Sequence, residues 1–511
     1  MHAIFGRDGL RHAFGGPLIR PERYGFFDRL LFAVFVLFLP PLLASKPGLF
    51  DDGDVSWHVA AGRWILANGR VPDTDPFSFT MAGQPWVAHE WLAEIVYAVA
   101  FNAAGYAGLA AVVAAALMVL HLTVFLHLRS RVGPIAMLVA FAAMDLILAK
   151  FLLARPHVLV WPLLAIWTSL LLRARDQGRT PPNWLALQML VWTNLHGSFA
   201  LGFIVAGAIA LDALVSARWK RPIFFGWLNF GLLALIAALF NLNGLPGLLH
   251  PLAIMGMNTL HLINEWNPGT PSESPLFYLV FVPTLAAMFL RGVKLRVGET
   301  ALLLLMLMLA FMQIRHQSWL AIVAVMVLTP YLAGTARGSA PPAFATQRER
   351  RTWLGGALAI AIALFVARLL LPLQPEESAG TPRGLIAAIP AELRSQPVLN
   401  EYSFGGPLIL AGVRPYIDGR ADMYGDEFFR DYSKIVNVGD FARFERAARR
   451  YGIRWTMLPH HVPLAKAVEA SPDWRRIYSD KIGIIHVRRP VAGAGGAVTR
   501  PSSPAAPIPA G

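Results

Sequence analysis

The chain has 511 residues, of which 56% are hydrophobic and only 15% are charged, whereas a soluble domain carries roughly 25% charged residues. This composition excludes a water-soluble globule, and long apolar blocks separated by short basic stretches indicate a helical membrane bundle. The net charge of +14 does not predict a nucleic-acid partner, because most Lys and Arg residues lie in short loops between apolar blocks.

The first apolar block is predicted to be a retained membrane anchor rather than a cleaved signal peptide. Four arginines precede it, and Pro40-Pro41 follows where a small-residue cleavage site would have to lie. We therefore expect residues 1–25 to form a short cytoplasmic segment, with the anchor beginning at residue 26.

About eleven apolar segments approach the roughly 20 residues that a helix needs to cross a bilayer. The fifth and sixth are short, because they share one apolar stretch that is broken near Gly197. The predicted spans are 26–44, 105–128, 134–152, 156–172, 183–197, 199–217, 222–241, 275–290, 300–314, 317–333 and 353–371.

Basic residues alternate from loop to loop and predict the orientation of the chain. If the N-terminus is cytoplasmic, every inner loop between spans holds at least two Lys or Arg residues. An odd number of spans then places the C-terminal region outside. The pattern predicts a multi-pass protein of a bacterial inner membrane, with a cytoplasmic N-terminus and a periplasmic C-terminal domain.

Two predicted outer segments are long. Residues 45–104, the first outer loop, carry tryptophan and isoleucine near helical spacing and predict two amphipathic helices at the membrane interface. Residues 241–274 are rich in proline and glycine, which predicts a structured loop with short helices at most.

The composition changes after the last predicted span, so residues 26–372 are assigned to the membrane and residues 373–490 to a small α/β domain. Its predicted helix is Phe441–Gly452, closed by glycine. The tail 491–511 is rich in Ala, Gly, Pro and Ser and is predicted to be disordered. The predicted strands are Pro397–Asn400, Pro407–Leu410, Trp455–Leu458 and Ile482–Arg488.

The first outer loop opens with three carboxylates within four residues. If a helix begins at Asp54, then Asp54 and His58 share one face and could hold a divalent metal ion, or one carboxylate could act as a general base. The alternative is an acidic turn that caps the helix, with Asp51 and Asp52 as cap residues. The sequence contains no cysteine, which excludes thiolate metal sites and cysteine nucleophiles.

Two further polar positions lie in the first outer loop. Asp75 precedes Pro76 and is predicted to form a turn. His89 and Glu90 precede a very apolar helix, where they are either an interfacial pair or substrate contacts.

A set of polar residues lies at predicted helix ends or, for Glu265 and Trp266, in the long outer loop, all on the same outer side. Charge in the hydrocarbon region is costly, so such residues usually mark a cavity or a function, although Lys150 also fits a side chain that snorkels to the interface. Cationic and acidic groups that face each other suit a substrate with a phosphate and a leaving group. The set comprises Lys150, Arg155, His157, Asn194, His196, Asn241, Asn243, Glu265, Trp266, Arg315 and His316.

Several motifs together resemble bacterial membrane proteins related to the GT-C glycosyltransferases, a superfamily that includes protein mannosyltransferases and aminoarabinose transferases. The resemblance covers nearly the whole chain, and it implies a GT-C-like fold with a small extracytoplasmic α/β domain. The motifs are Asp54-Val55-Ser56-Trp57-His58, Gly62-Arg63-Trp64-Ile65, Pro72-Asp73-Thr74-Asp75-Pro76, Trp86-Val87-Ala88-His89-Glu90-Trp91, Arg155-Pro156-His157, Asn194-Leu195-His196-Gly197, Glu265-Trp266, Asn400-Glu401-Tyr402 and Asp418-Gly419-Arg420.

The resemblance implies a transferase that takes a sugar from a polyprenyl-phosphate carrier and transfers it on the outer face to an envelope glycan, lipid or protein. By position, Asp54 matches the superfamily's catalytic acid, with Asp51 and Asp52 as neighbours. In mannosyltransferases the acidic residue is typically followed by glutamate, whereas here Gly53 and Asp54 follow, so a divalent ion stays an open cofactor. The substrate-binding candidates are His58, Arg63, His89, Glu90, Arg155, His157, His196, Glu265, Arg315 and His316.

Two alternatives stay open at this point. The chain could be a non-enzymatic transporter or assembly factor for envelope polysaccharide, although no inverted repeat is visible in the sequence. Asp418 and the glycines near predicted strand ends, Gly405, Gly406 and Gly419, are predicted to serve turns, with glycine permitting positive φ. The other reading makes the C-terminal domain part of the active site.

The predicted orientation can be tested with fusions. A reporter that is active only outside the cytoplasm should be active when fused after Ala379 and silent when fused at Gly178, because these positions flank an odd number of predicted spans. The opposite pattern would contradict the outer location of every candidate residue.

Overall fold

The computed structural model describes residues 26–334, Val366 and residues 375–490. The described residues form two compact units. Residues 26–49 and 100–334 make up the membrane unit, and residues 50–99 and 375–490 make up the second unit. Residues 1–25, the tail 491–511 and, apart from Val366, the predicted span 353–371 lie outside the described residues. The predicted domain limits therefore stay predictions.

Within the described residues 26–334, thirteen α-helices occur in chain order, with one π-helical stretch after the first. Helix α4 has non-helical dihedral angles at Ala104 and Gly105 and is therefore kinked there. The helices are α1 (Phe26–Phe32), followed by the π-helical Ala33–Phe38, α2 (Leu39–Leu43), α3 (Asp54–Asn68), α4 (Trp91–Leu128), α5 (Pro134–Phe151), α6 (Pro156–Asp176), α7 (Leu187–Leu195), α8 (Phe199–Ser216), α9 (Arg221–Leu239), α10 (Gly244–Met255), α11 (Pro275–Leu290), α12 (Val297–Met312) and α13 (His316–Leu332).

The predicted spans within the described residues correspond to helices whose ends lie within four residues of the prediction, once α4 is divided at its kink. Five of the described helices are long and apolar enough to cross a membrane, and five further apolar helices are shorter. The chain is therefore a multi-pass helical membrane protein. The number of eleven spans stays a prediction.

Helix α13 packs against α5, α6 and α12; eleven of its seventeen residues are buried and none is fully exposed. A helix that is apolar on every side is expected in such a position. Prolines begin several of the surrounding helices, including Pro134, Pro156 and Pro275, because the first helical position needs no backbone N–H. The buried Trp167 ties α6 to α8 by donating from Nε1 to the carbonyl of Gly202 at 2.9 Å.

A buried ion-pair cluster joins the ends of three helices in the membrane unit. Arg175 of α6 donates to Glu299 Oε1 at 2.7 Å and to Asp212 Oδ2 at 3.3 Å. Asp212 of α8 also accepts from the backbone N–H groups of Gly298 and Glu299, in the first turn of α12. Because an unpaired buried charge is very costly, these contacts fix α6, α8 and α12 to one another. The sequence had assigned Arg175 only a role in topology.

The second unit contains a four-stranded sheet in the order β1-β2-β4-β3, with β1 parallel to β2 and the other pairs antiparallel. Its core contains Val398, Trp455, Met457 and Ile485. The elements after residue 375 are α14 (Arg383–Ala387), β1 (Val398–Asn400), α15 (Gly405–Leu410), α16 (Ala421–Val436), α17 (Phe441–Tyr451), β2 (Trp455–Leu458), α18 (Pro463–Glu469), β3 (Trp474–Ser479) and β4 (Ile484–Arg488).

The small α/β domain and its amphipathic helix are confirmed. Helix α17 begins after Asp440, whose carboxylate accepts from the Arg443 N–H, and ends at Gly452 with a φ of +66°. The strand predicted at Pro407–Leu410 is wrong, because this short apolar run is helical and packs against α3. Strand β3 was missed, since its exposed arginines at the sheet edge mask any apolar pattern.

The first outer loop shares a hydrophobic core with the C-terminal residues. Trp57 of α3, Phe77 and Trp86 pack with Ile409 of α15 in one buried cluster. The loop contains the start of two helices, α3 and α4, as predicted; their location at a membrane interface stays a prediction. Residues 50–99 are thus folded together with residues more than 300 positions later in the chain.

A buried guanidinium lies within this second unit. Arg420 is 2% exposed, donates to both carboxylate oxygens of Asp418 at 2.7–2.8 Å, and donates to Asp75 Oδ1 at 2.7 Å. The rings of Phe77 and Trp86 lie 5.1 and 4.6 Å from its Cζ. Burial alone would lower the pKa of Arg420, but Asp418 and Asp75 raise it well above its usual value. Arg420 is therefore a permanent cation that needs both carboxylates.

The Asp75–Arg420 pair predicts that substitution of Asp75 destabilises the protein far more than substitution of Asp73. Asp75→Asn should lower the free energy of unfolding of the second unit by on the order of 3 kcal/mol, because it weakens the pairing of a buried charge. Thermal unfolding of the purified protein measures this loss. Asp73→Asn is the matched control, since the Asp73 side chain is 81% exposed. Equal melting temperatures for the two variants would contradict a structural role for the pair.

Candidate functional site

The acidic turn of the first outer loop is ordered by its own carboxylates. Helix α3 begins at Asp54, as the spacing with His58 required. Asp52 Oδ1 accepts from the Asp54 N–H at 2.9 Å and so closes the turn that leads into the helix, whose N-cap residue is Gly53. Asp51 is exposed, and Asp54 is half-buried. The three carboxylates therefore occupy different environments, and Asp52 has a structural contact of its own.

The Asp54 carboxylate is held between an indole and a backbone turn. Asp54 Oδ1 accepts from Trp57 Nε1 at 2.9 Å. Gly419 lies against the same oxygen, where a methyl group would come within 1.7 Å of Asp54 Oδ1 and 2.8 Å of Trp57 Nε1. Gly419 is itself fixed, because its carbonyl accepts from the Tyr402 hydroxyl at 3.0 Å. The carboxylate consequently has little rotational freedom.

Glycines of the C-terminal residues surround the acidic turn. A Cβ on Gly53 would lie 2.0 Å from the Ser403 carbonyl oxygen, and one on Gly406 would lie 2.0 Å from the Gly53 carbonyl oxygen. Gly405, Gly406 and Gly419 all have φ angles outside the left-handed region. The prediction that these glycines permit positive φ is wrong: they permit close approach of two backbones.

Asp418 does stabilise its own turn, as predicted, since its Oδ1 accepts from the Arg420 N–H at 3.1 Å. It also accepts from the Tyr424 hydroxyl at 2.7 Å, and burial together with Asp418 raises the pKa of Tyr424 well above its usual value. Asn400 holds the same segment by bonding the backbone of Tyr416 and Ile417. The motif around Gly419 is therefore a rigid support.

His58 lies on the same helix as Asp54 but faces two glutamates. Its Nε2 is 3.7 Å from Glu90 Oε2 and its Nδ1 is 3.8 Å from Glu94 Oε1, and the ring is buried. His89 Nε2 lies 3.8 Å from the other oxygen of Glu90, whereas Arg63 is half-buried further along α3. The structure thus brings His58, His89 and Glu90 together. A metal ion held by Asp54 and His58 stays a prediction.

In the membrane unit, one glutamate bridges two predicted arginines. Glu265 Oε2 accepts from Arg155 at 2.9 Å, and its other oxygen lies 3.5 Å from Arg315. Arg315 also lies over the Trp266 ring, 4.2 Å from its centroid. Burial would raise the pKa of Glu265, but Arg155 and Arg315 outweigh it and lower the pKa to about 2. Glu265 is therefore an anion at any ordinary pH.

The remaining predicted residues of the membrane unit lie at helix breaks. The His157 ring bonds the Phe151 carbonyl at 2.7 Å and lies 6.5 Å from the His196 ring. His196 Nδ1 accepts from the Ser198 N–H, and His316 bonds the Gln313 side chain at 2.9 Å. Lys150 bonds the loop at Glu273 and Ser274, so a structural role suits it well.

Several polar contacts were not predicted. Neither Trp57 nor Glu94 lies in a sequence pattern that indicates a functional residue, and Gly419 was assigned to a turn. His121 Nε2 and Asp145 Oδ1, on α4 and α5, form a buried pair at 2.9 Å within apolar blocks. Such pairs would be visible only as isolated ionisable residues inside predicted spans, which is the signal that indicates a functional position in membranes.

The helices, the first outer loop and the C-terminal sheet define a multi-pass membrane protein whose fold other solved membrane proteins share. A solved structure of ArnT from Cupriavidus metallidurans bound to undecaprenyl phosphate matches with a TM-score of 0.52 and 12% identity, over 93% of this chain and 100% of that chain. The similarity is one of fold, and it agrees with the resemblance seen in the sequence.

A second solved structure matches with a lower TM-score, and the sequence comparisons find no match. Archaeal oligosaccharyltransferase AglB from Archaeoglobus fulgidus, in complex with an inhibitory peptide and a dolichol-phosphate, matches with a TM-score of 0.49 and 14% identity, over 85% of this chain and 70% of that chain. No protein-family model matches the sequence, and no curated protein matches it.

The packing of Gly419 against Asp54 generates a test of position. Gly419→Ala should displace the Asp54 carboxylate and cut the turnover number by on the order of tenfold to a hundredfold, since misplacement of a reacting group by about 1 Å is that costly. Protein abundance and the apparent KM should change little. Gly133→Ala is the control, because a methyl group there meets nothing within 4 Å. Wild-type turnover in Gly419→Ala would show that this contact does not position Asp54.

Proposed function

We propose that this protein is a membrane glycosyltransferase that moves a sugar from a polyprenyl-phosphate carrier to an envelope acceptor on the outer face. The observation that carries the proposal is the Asp54 carboxylate, held by Trp57 and by the backbone at Gly419 at the start of α3. A cap residue needs no such enclosure, and Asp52 already closes the turn. The GT-C fold supports the same class of reaction.

Asp54 acts as the general base in this proposal. It takes the proton of the acceptor hydroxyl while the acceptor oxygen attacks the anomeric carbon of the donor sugar. The bond between that carbon and the carrier phosphate breaks, and the phosphate leaves with the electron pair. An ionised carboxylate has about four acceptor positions, so the hydrogen bond from Trp57 orients the group without using up its capacity.

The leaving phosphate requires cations, and the proposal assigns this role to Arg155 and Arg315. Arg155 and Arg315 are held within reach of one carboxylate and can bind phosphate oxygens in charge-assisted hydrogen bonds. His157 is the next candidate, as predicted from the sequence. The ArnT structure with a similar fold binds undecaprenyl phosphate, which supports a lipid-phosphate donor for this chain. The proposal allows a divalent ion near Asp54 and assigns no particular sugar or acceptor.

Substitution of Asp54 tests the proposal. Asp54→Asn keeps the size of the side chain but removes its charge, so transfer should fall by about 10²–10⁴-fold while protein level is unchanged. The measurement is transfer of label in membranes supplied with a panel of radiolabelled polyprenyl-phosphate sugars. Asp51→Asn and Asp52→Asn should cost less, since loss of a cap costs only about 1 kcal/mol of stability.

Two results would contradict the assignment. Near-full transfer by Asp54→Asn with loss in Asp51→Asn or Asp52→Asn would keep the loop as the catalytic element but move the base. Full activity in all three variants would remove the first outer loop from catalysis, and a transporter or assembly role would then be the better reading.

A further inference from the structure

Backbone and side-chain contacts hold Glu265 beside Arg155 and Arg315. The Arg315 N–H donates to the Glu265 carbonyl at 3.2 Å, and the Ile314 N–H donates to the Asn267 carbonyl at 3.0 Å. The segment 264–267 therefore runs along the break between α12 and α13. The Glu265 side chain contacts Arg315, which precedes α13, and Arg155, which precedes α6. A ligand that approaches these arginines meets Glu265 as well.

The charges of Arg155, Arg315 and Glu265 determine which phosphate charge this arrangement favours. Two guanidinium groups and one carboxylate carry a net charge of +1. Two arginines without the carboxylate would favour a phosphate with two negative charges, because each added negative charge would be attracted by both. The fixed carboxylate repels each negative charge of a bound phosphate, so it weakens the binding of a dianion about twice as much as that of a monoanion and narrows the difference between them.

The substrate and the product of the proposed reaction differ in just this respect. The donor, a sugar linked through phosphate to a lipid, is a phosphodiester with one negative charge. The released carrier is a phosphomonoester, whose second ionisation near pH 6 gives it a charge of about −1.5 to −2 at neutral pH. Both present oxygens that a guanidinium can bind, so charge rather than shape distinguishes them at this site.

We propose that Glu265 is a specificity-determining residue that lowers the preference of the Arg155–Arg315 pair for the dianionic phosphomonoester product, so that the monoanionic phosphodiester donor can compete with it. The inference rests on the proposed function, since it takes the two arginines as the phosphate-binding pair. It adds a reason for the glutamate: a pair that bound the spent carrier most tightly would be inhibited by its own product.

Binding measurements on the purified full chain test this selectivity without knowledge of the sugar. The probes are decyl phosphate, a monoester, and methyl decyl phosphate, a diester of the same chain length, titrated at pH 8 by calorimetry. Glu265→Gln should tighten binding of decyl phosphate by about tenfold or more, because it removes one nearby like charge. Binding of the diester should change less than the monoester, so the ratio of the two dissociation constants shifts.

Two further variants separate charge from structure. Glu265→Asp keeps the negative charge and should keep the wild-type ratio, while Glu265→Ser replaces Glu265→Gln if the amide does not yield folded protein. Glu273→Gln is the matched control, since it removes an exposed carboxylate of the same loop and should leave both affinities unchanged. Arg315→Ala should weaken both probes.

The pH dependence gives a readout that a merely structural role would not produce. At pH 5 decyl phosphate is a monoanion, so the gain of Glu265→Gln over wild type should fall to the smaller gain seen for the diester. The Glu265 carboxylate itself stays ionised at pH 5, because Arg155 and Arg315 hold its pKa at about 2 against the effect of burial. His157, which also faces this carboxylate, is present in all variants and affects both probes alike.

The outcomes distinguish the inference from the function on which it rests. Binding of both probes with an unchanged ratio in Glu265→Gln would overturn the selectivity and leave the phosphate site intact. Failure of wild-type protein to bind either probe would overturn the phosphate site and the selectivity together. Inorganic phosphate separates the sources: a gain for decyl phosphate alone assigns the site to a lipid carrier, and a gain for inorganic phosphate alone overturns the proposal.

Discussion

Burial of the Arg420 guanidinium determines how the second unit is built. A charge removed from water is tolerated only if it is paired and fully hydrogen-bonded, and Arg420 has Asp418 and Asp75 as carboxylate partners and aromatic rings on its sides. Asp418 precedes Gly419 by one residue, so the same turn that pairs the guanidinium also places a bare backbone against Asp54. The stability of the unit and the position of its proposed base thus depend on one interaction.

The membrane unit uses a similar principle at a helix break. Arg155 and Arg315 precede α6 and α13, where the backbone leaves helical geometry and side chains from different helices can converge. Glu265 bridges these two like charges and so holds them together. If they bind the carrier phosphate as proposed, a pair held in place in this way loses less conformational entropy on binding.

The sequence predicted much of the helical frame for reasons that are local. Length and apolar character mark a span wherever it lies, and Pro134 or Pro275 marks its first residue. The strand at Trp455–Leu458 was also predicted from a local apolar run. The run at Pro407–Leu410 was too short for its periodicity to distinguish a helix from a strand.

The contacts of the site were harder to predict because they are not local. Glu265, Arg155 and Arg315 were selected as ionisable residues at span ends, a signal each carries by itself. The partnership of Asp75 with Arg420 joins residues 345 positions apart, and neither neighbourhood indicates the other. Gly419 is similar: a glycine needed for close approach looks the same in a sequence as a glycine needed for a turn.

That separation of 345 residues also has a consequence for biosynthesis. At about 5–20 residues per second, roughly 20–70 seconds pass between synthesis of Asp75 and synthesis of Arg420. Throughout that time the first outer loop lacks both its cation and the apolar surface of Ile409 that completes its core. The nascent loop is therefore a long-lived intermediate with exposed tryptophans, and quality-control factors that act on it have most of the translation time in which to do so.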